Sequence, residues 1–137
     1  MAGGSDKVKR PEVLGPKMDS RVKRLWLKAL RGGHYKKTDG QLRRSSDDSS
    51  PEYCCLGVLT ELYRLDTGRG RWQDDDQFRW RNDTAHGELP MCVMKWAGLD
   101  SCDPVLVPKE EEEVTAAELN DNGVSFKRIA QLIERWL

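Results

Sequence analysis

The stretch Glu52-Tyr53-Cys54-Cys55-Leu56-Gly57-Val58-Leu59 (EYCCLGVL) places two adjacent cysteines, an aromatic ring and a glycine at the start of an apolar run. Its apolar spacing predicts a helix from Cys54 to about residue 66. On a helical wheel, Cys55 falls on the apolar side, whereas Gly57 and Glu61 fall on the polar side. Free cysteines are usually buried, so we interpret Cys55 as a small core residue.

Cys54 lies at the boundary between the two sides and beside the helix N-terminus, a position that lowers a thiol pKa. A Cys54-dependent thiol enzyme is therefore one alternative for function. Such a nucleophile needs a base, and the chain offers only His34 and His86, both in predicted loops. The sequence contains neither the short chelating cysteine pairs of structural zinc sites nor a recognisable catalytic motif. We therefore expect a non-enzymatic protein without a metal or a cofactor.

Four further segments have helical spacing and recognisable ends. Asp19 or Ser20 caps a helix through residue 30, and Pro90 opens a short helix through residue 97. Helices over 114–121 and 126–137 follow. Asp39-Gly40 is the strongest hairpin signal in the chain. Together these signals predict an α+β fold that is mainly α, with about five short helices and a small β-hairpin in a single compact domain.

The composition fits one small domain with an uneven distribution of charge. The chain has 137 residues, 34% of them charged, and a net charge of zero, yet residues 1–46 carry 13 Lys and Arg against 4 Asp and Glu. We predict a flexible basic arm over 1–18 and one globular domain over 19–137. The basic third is expected either to approach phosphates or to attract the acidic remainder of the chain. No apolar run could span a bilayer and no secretory core precedes the domain, so we expect a cytosolic protein.

Residues 67–88 combine glycine, arginine and tryptophan. Gly-Arg-Gly-Arg-Trp over 68–72 joins flexible backbone to guanidinium groups and an aromatic face, which are the parts of a pocket for a phosphate and a base. Gly57 adds a place on the helix where a ligand or another backbone can come close. We therefore predict a ligand site formed by Gly57, Glu61, Arg69, Arg71, Trp72 and Trp80. The alternative is a solvated loop with Trp72 packed on the core.

The C-terminal segment has the order of a helix-turn-helix motif: a helix, a turn containing glycine, and a second helix. In this alternative, residues 115–136 form a DNA-binding regulator that contacts the major groove. The contacting side chains would be Lys127, Arg128, Gln131 and Arg135. Glu110–Glu113 stand directly upstream and would repel phosphates. A plain antiparallel helix pair produces the same pattern.

Four blocks of sequence occur in a characteristic order: LWLKALRGGHYKK (25–37), YCCLGVLTEL (53–62), LPMCVMKWAGL (89–99) and ELNDNGVSFKRIAQLIE (118–134). In that order they resemble a family of small proteins encoded by tailed bacteriophages and prophages, whose hallmark is YCCLGVL. This chain has Thr60 where a third cysteine is common. The resemblance covers roughly residues 22–136 and implies a phage accessory protein in the bacterial host cytosol.

The expected function is therefore non-enzymatic binding in a phage setting. The partner is either a host protein or a small nucleotide-type ligand that the protein sequesters, and the role would be counter-defence. The resemblance carries no catalytic residue over to this chain, so the predicted site residues depend on the local chemistry of the sequence alone.

Overall fold

A computed structural model describes residues 17–46, 49–108 and 113–137 of the chain. Within these ranges the chain forms five helices and eight short strands. The helices are α1 (Ser20–Gly32), α2 (Cys55–Thr67), α3 (Met91–Ala97), α4 (Ala116–Asp121) and α5 (Phe126–Trp136). The strands are β1 (Lys36–Lys37), β2 (Arg43–Ser46), β3 (Ser49–Tyr53), β4 (Arg71–Trp72), β5 (Phe78–Trp80), β6 (Asp83–Ala85), β7 (Val105–Val107) and β8 (Val114–Thr115).

Helix α2 lies at the centre of the core. It packs against α1, α3, α4 and β3, and every residue from 53 to 61 is buried. The expected polar side of this helix is therefore covered as well as its apolar side. Trp26 of α1 is fully buried and donates its Nε1 hydrogen to the Cys55 carbonyl oxygen over 2.9 Å. This bond fixes α1 against the first turn of α2.

The predicted helix ends are confirmed where the sequence carries an explicit cap. The Asp19 carboxylate accepts a hydrogen bond from the Val22 amide at 2.9 Å, and the Ser125 hydroxyl accepts one from the Arg128 amide at 3.2 Å. Helix α4 begins at residue 116 rather than at 114, because Val114–Thr115 pairs with β7 and Thr115 then caps the helix. Residues 110–112 of the acidic run lie outside the described residues.

The predicted hairpin at Asp39-Gly40 does not form. Strand β3 lies between β1 and β2, parallel to β1 and antiparallel to β2, so the strands that flank the turn do not pair with each other. Gly40 has the left-handed φ of 78° that suits a turn, but its amide donates to the Asp121 carboxylate over 2.8 Å. Contacts with distant residues thus separate the two strands that the local turn signal would have joined.

The region 67–88 forms a small antiparallel sheet of β4, β5 and β6 in that order. Its inner face is anchored by Phe78, which is fully buried. On the outer face Arg71 of β4 lies directly opposite Arg79 of β5. A third, two-stranded sheet pairs β7 with β8.

The α+β class is confirmed, but three sheets make the strand content larger than the expected single hairpin. Met18, the last residue of the predicted basic arm, is buried in the core at 6% exposure, while residues 1–16 lie outside the described part. Among the described helices none is both long and apolar enough to cross a lipid bilayer.

Candidate functional site

Cys54 is the N-cap residue of α2 and is buried. Only 3% of its surface is exposed, and its Sγ accepts a hydrogen bond from the Gly57 amide at 3.3 Å. Burial raises the pKa of the Cys54 thiol to about 11, and the hydrogen bonds from backbone amides lower it only in part. His34 and His86 are both exposed. A thiol that is protonated at neutral pH and removed from solvent has the opposite of the properties that nucleophilic catalysis needs.

The space beside Gly57 is filled by the backbone of another segment and is not open to a ligand. A Cβ at this position would clash with the carbonyl oxygen of Leu42. That carbonyl accepts a hydrogen bond from the Cys54 amide over 3.0 Å. The glycine thus permits the close approach of the segment before β2 to the first turn of α2.

Glu61 and Trp72 belong to an internal network. The Glu61 carboxylate is buried at 8% exposure and accepts hydrogen bonds from Trp72 Nε1 at 2.8 Å and from two nitrogens of Arg64 at 2.8 and 2.7 Å. The Arg43 guanidinium lies 5.4 Å from the centre of the Trp72 ring and pairs with Asp76. These contacts engage the polar atoms of Glu61 and Trp72, so both residues fix the second sheet to α2.

Three of the four arginines of the region 67–88 line an open cleft of about 590 Å³. Its lining consists of Gly68, Gly70, Arg71, Arg79, Trp80 and Arg81. This volume lies within the range of small-ligand pockets. Arg71 and Trp80 were predicted from the sequence as ligand residues, and the structure brings them together here. Gly57, Glu61 and Trp72 do not line this cleft.

Two glycines set the position of the cleft relative to α2. Gly68 ends the helix in the left-handed conformation, and its amide donates to the Arg64 carbonyl over 2.9 Å. Gly70 has a φ of 81°, and a Cβ there would clash with the Phe78 ring. The absence of a side chain at Gly70 therefore lets β4 fold back over the buried ring of β5.

Trp80 is the aromatic side chain of the cleft. The Arg81 guanidinium lies 5.1 Å from the centre of its ring, and that of Arg69 lies 6.0 Å away. Arg69, the third predicted arginine contact, therefore reaches the same ring without lining the cleft itself. Arg81 adopts a φ of 58°, a conformation that is uncommon for a residue with a side chain.

Arg79 and Arg81 are the two cleft residues that sequence reasoning missed. The Arg79 Nε donates to the Arg81 carbonyl oxygen over 3.2 Å. The alternation Phe78-Arg79-Trp80-Arg81 carries a signal that could have found them, because in a strand it separates the ring at position 78 from the arginine that follows it. The alternation does not predict that β4 pairs with β5, and it is this pairing that sets Arg71 opposite Arg79.

The four arginines of this region have no acidic partner in the described part of the chain. The ion pairs formed there involve Arg21, Arg31, Lys37, Arg43 and Arg64. Like charges directly opposite on paired strands are destabilising. Arg71, Arg79 and Arg81 therefore bring three guanidinium groups, none of them in a described ion pair, to one cleft beside an aromatic ring. We call this feature the arginine cleft.

The predicted DNA-contacting residues all lie exposed on α5: Lys127, Arg128, Gln131 and Arg135. Arg128 donates to the Gln131 side chain over 2.9 Å, and the Arg135 guanidinium lies 4.9 Å from the centre of the Trp136 ring. The opposite side of α5 packs against α1 and β7. Glu134, between Gln131 and Arg135, pairs with Arg31 over 2.7 Å.

All four cysteines are free thiols. Within the described ranges, no group of three or more histidine, cysteine, aspartate or glutamate side chains is placed to hold a metal ion. The chemistry that the candidate site offers is therefore that of guanidinium groups and an aromatic face.

Fold and site define a small α+β domain with an arginine-lined cleft beside a central buried helix. The chain belongs to the family described as Domain of unknown function (DUF8296), whose model matches residues 18–137. The matched range begins at the buried Met18 and includes every element of the fold. No curated protein and no solved structure matches the chain.

Proposed function

We propose that this protein is a non-enzymatic binding protein that captures a small nucleotide-type ligand by its phosphate groups in the arginine cleft. One observation carries the proposal: Arg71, Arg79 and Arg81 line a cleft together with Trp80, and none of the three forms an ion pair with a described carboxylate. Arginine forks match phosphate oxygens in charge and in geometry.

The opposed arginines support an anionic ligand in particular. Arg71 and Arg79 are direct partners in the β4–β5 pair, so in the free protein their charges repel each other. A phosphate between them turns this repulsion into two attractions. Trp80 lies at the same cleft, where its ring can contact a base beside the guanidinium groups of Arg69 and Arg81.

The described surface favours a small ligand over a host protein. Among the described residues the strongly exposed large apolar side chains are Leu65 and Met91. Protein interfaces usually bury a larger apolar and aromatic centre. Of the two partners expected from the sequence, a host protein or a small nucleotide-type ligand, we therefore propose the ligand.

The resemblance to phage-encoded proteins supplies the biological setting. We place the protein in the cytosol of a bacterial host, where it would sequester a nucleotide-type ligand and so blunt a defence that depends on that ligand. Sequestration requires binding but no turnover, which accords with a buried, protonated Cys54.

Isothermal titration of the full chain with inorganic tripolyphosphate at low salt tests the proposal. We expect saturable binding that weakens by about tenfold or more in each of Arg71→Ala and Arg79→Ala, since hydrogen bonds to charged groups contribute about 1.5–3 kcal/mol. Arg24→Ala is the matched control, because Arg24 is an exposed arginine on α1. Absence of binding, or equal losses in all three variants, would overturn the proposal.

Duplex DNA binding through residues 115–136 is a second candidate. It is favoured by the exposed row formed by Lys127, Arg128, Gln131 and Arg135 along one helix. This candidate predicts retention on duplex DNA that falls steeply with salt and falls further in the Lys127→Ala/Arg128→Ala variant. No retention at low salt would eliminate it.

A further inference from the structure

A second cleft of about 470 Å³ adjoins the arginine cleft. Its lining is Trp80, Arg81, Asn82, Asp83, Met91, Cys92 and Lys95. Trp80 and Arg81 line both clefts, so the two cavities are neighbours that share these two residues. A ligand held by phosphates in the arginine cleft can therefore extend past Trp80 into the second cleft.

The second cleft differs in chemistry from the arginine cleft. Met91 is 52% exposed and supplies an apolar surface near the tryptophan ring. Asn82, Asp83 and Lys95 supply an amide, a carboxylate and an ammonium group. A carboxylate repels phosphate but accepts hydrogen bonds from a neutral base. Met91, Asn82 and Asp83 therefore offer an apolar surface and hydrogen-bonding groups that fit the flat, polar-edged body of a nucleobase, while Arg81 and Lys95 add positive charge to the same lining.

Asp83 is held in place before any ligand binds. It is half-buried on β6, directly opposite Trp80 of β5. Its Oδ2 accepts a hydrogen bond from the Cys92 amide over 2.7 Å at the start of α3. The Cys92 thiol also hydrogen-bonds to this carboxylate. An ionised carboxylate has acceptor positions for about four hydrogen bonds, so acceptor capacity remains after these two contacts.

The acceptors of Asp83 discriminate between bases. Guanine presents two adjacent groups of donors, N1–H and N2–H₂, to a single carboxylate. Adenine presents one amino group next to an acceptor nitrogen, which would face the carboxylate unfavourably. Sites built to hydrogen-bond a ligand reject an analogue that lacks the matching groups much more strongly than apolar pockets do.

We propose that the second cleft is the base subsite of the nucleotide site and that Asp83 makes it prefer guanine. This inference rests on the proposed function, because the phosphates must occupy the arginine cleft for the base to reach Asp83. The ligand class is then a guanine nucleotide with two or more phosphates, which would contact Trp80 in both clefts.

Titration of the full chain with GTP, ATP and inorganic tripolyphosphate tests the subsite. We expect GTP to bind at least about tenfold more tightly than either ATP or tripolyphosphate, which is the difference that one additional pair of buried hydrogen bonds supplies. Asp83→Asn should abolish the preference for GTP over ATP without weakening tripolyphosphate binding, because it removes a negative charge next to the arginine cleft. The asparagine oxygen can still accept from the Cys92 amide, and tripolyphosphate binding that is at least as tight as in the parent chain reports that the fold is intact.

The controls separate failure of the subsite from failure of the proposed function. Asp100→Asn changes an exposed aspartate outside both cleft linings and should leave all three affinities unchanged. Equal affinity for GTP and ATP, with no effect of Asp83→Asn but with binding that depends on Arg71 and Arg79, overturns the base subsite and leaves the proposed function standing. Failure of tripolyphosphate and both nucleotides to bind overturns both.

Discussion

Gly57 is the point at which the chain before β2 touches the central helix. We expect Gly57→Ala to lower the free energy of unfolding by about 1–3 kcal/mol or more, because the added methyl group overlaps the Leu42 carbonyl and backbone must move. Urea denaturation followed by circular dichroism measures the change. Gly87→Ala is the control, since a Cβ there meets no atom within 4 Å. Equal stability of the two variants would contradict the packing at Gly57.

Cys54 provides a chemical test of the same helix end. Because the pKa of its thiol is raised to about 11, only about one molecule in a thousand carries the thiolate at pH 8. We expect iodoacetamide to modify Cys54 at least about a hundredfold more slowly in the native protein than in the protein unfolded in guanidinium. Peptide mass spectrometry after timed quenching gives both rates. Native Cys54 reacting as fast as the unfolded chain would restore the thiol-enzyme alternative.

Single residues show where sequence reasoning reached its limit. The apolar wheel identified Cys55 as a core residue, and Cys55 is fully buried. The same wheel placed Gly57 and Glu61 on a polar side, yet both are buried, because the Leu42 backbone lies against Gly57 and Trp72 of the second sheet covers Glu61. A wheel describes one helix alone, so it contains no information about a sheet that packs on it.

At the scale of elements, the β4–β5 pair carries both the site and a cost in stability. We expect Arg71→Gln to raise the free energy of unfolding in phosphate-free buffer by about 0.2–1 kcal/mol, since it removes a like-charge pair that lies directly opposite on two strands. The same change should weaken tripolyphosphate binding. Denaturation with and without tripolyphosphate measures both effects. A concentration of about 10 mM is enough to saturate a site of micromolar affinity.

Arg44→Gln is the control for that experiment, because Arg44 is an exposed strand arginine that faces Glu52 across β2 and β3. It should not gain stability and should not lose binding. Loss of stability in Arg71→Gln without added anion would show that the two guanidinium groups do not repel each other in the folded protein.

Elements differ in how far local sequence determines them. The helices were predictable because their caps are local: Asp19, Thr115 and Ser125 each bond to an amide three residues away. The first sheet was not predictable, because β1 pairs in parallel with β3 and the two are separated by β2 along the chain. Arg71 and Trp80 were found as site residues from their chemistry, whereas Arg79 becomes a partner of Arg71 only through strand register.

At the scale of the whole molecule, the uneven charge of the chain is used partly within the fold. Three ion pairs join the basic first third to later residues: Arg21 with Asp66, Arg31 with Glu134, and Arg43 with Asp76. Exposed pairs contribute little to stability, so the pairs of Arg21 and Arg31 orient the segments more than they hold them together, whereas the Arg43–Asp76 pair is largely buried. The arginine cleft lies outside this set of pairs, and its charge is available for a ligand.

Asn120 joins three distant parts of the fold and is completely buried. Its Oδ1 accepts from the Cys55 amide at 3.0 Å, and its Nδ2 donates to the Thr38 carbonyl at 2.8 Å. Helix α4, the start of α2 and the segment after β1 therefore meet at one side chain. The residue thus connects distant parts of the chain through buried hydrogen bonds. Solvent cannot replace these bonds, and a buried amide or carbonyl without a partner costs free energy.

We expect Asn120→Ala to lower the free energy of unfolding by about 2–4 kcal/mol, because it leaves the Cys55 amide and the Thr38 carbonyl unsatisfied. Asn122→Ala, at an exposed position two residues later, is the control and should change stability by less than about 0.5 kcal/mol. Asn120→Asp separates the two bonds, since its carboxylate still accepts from Cys55 but cannot donate to Thr38. Urea denaturation of all three variants gives their free energies of unfolding and so ranks their stability. If Asn120→Ala were as stable as Asn122→Ala, the meeting of the three segments at this side chain would not hold the fold together.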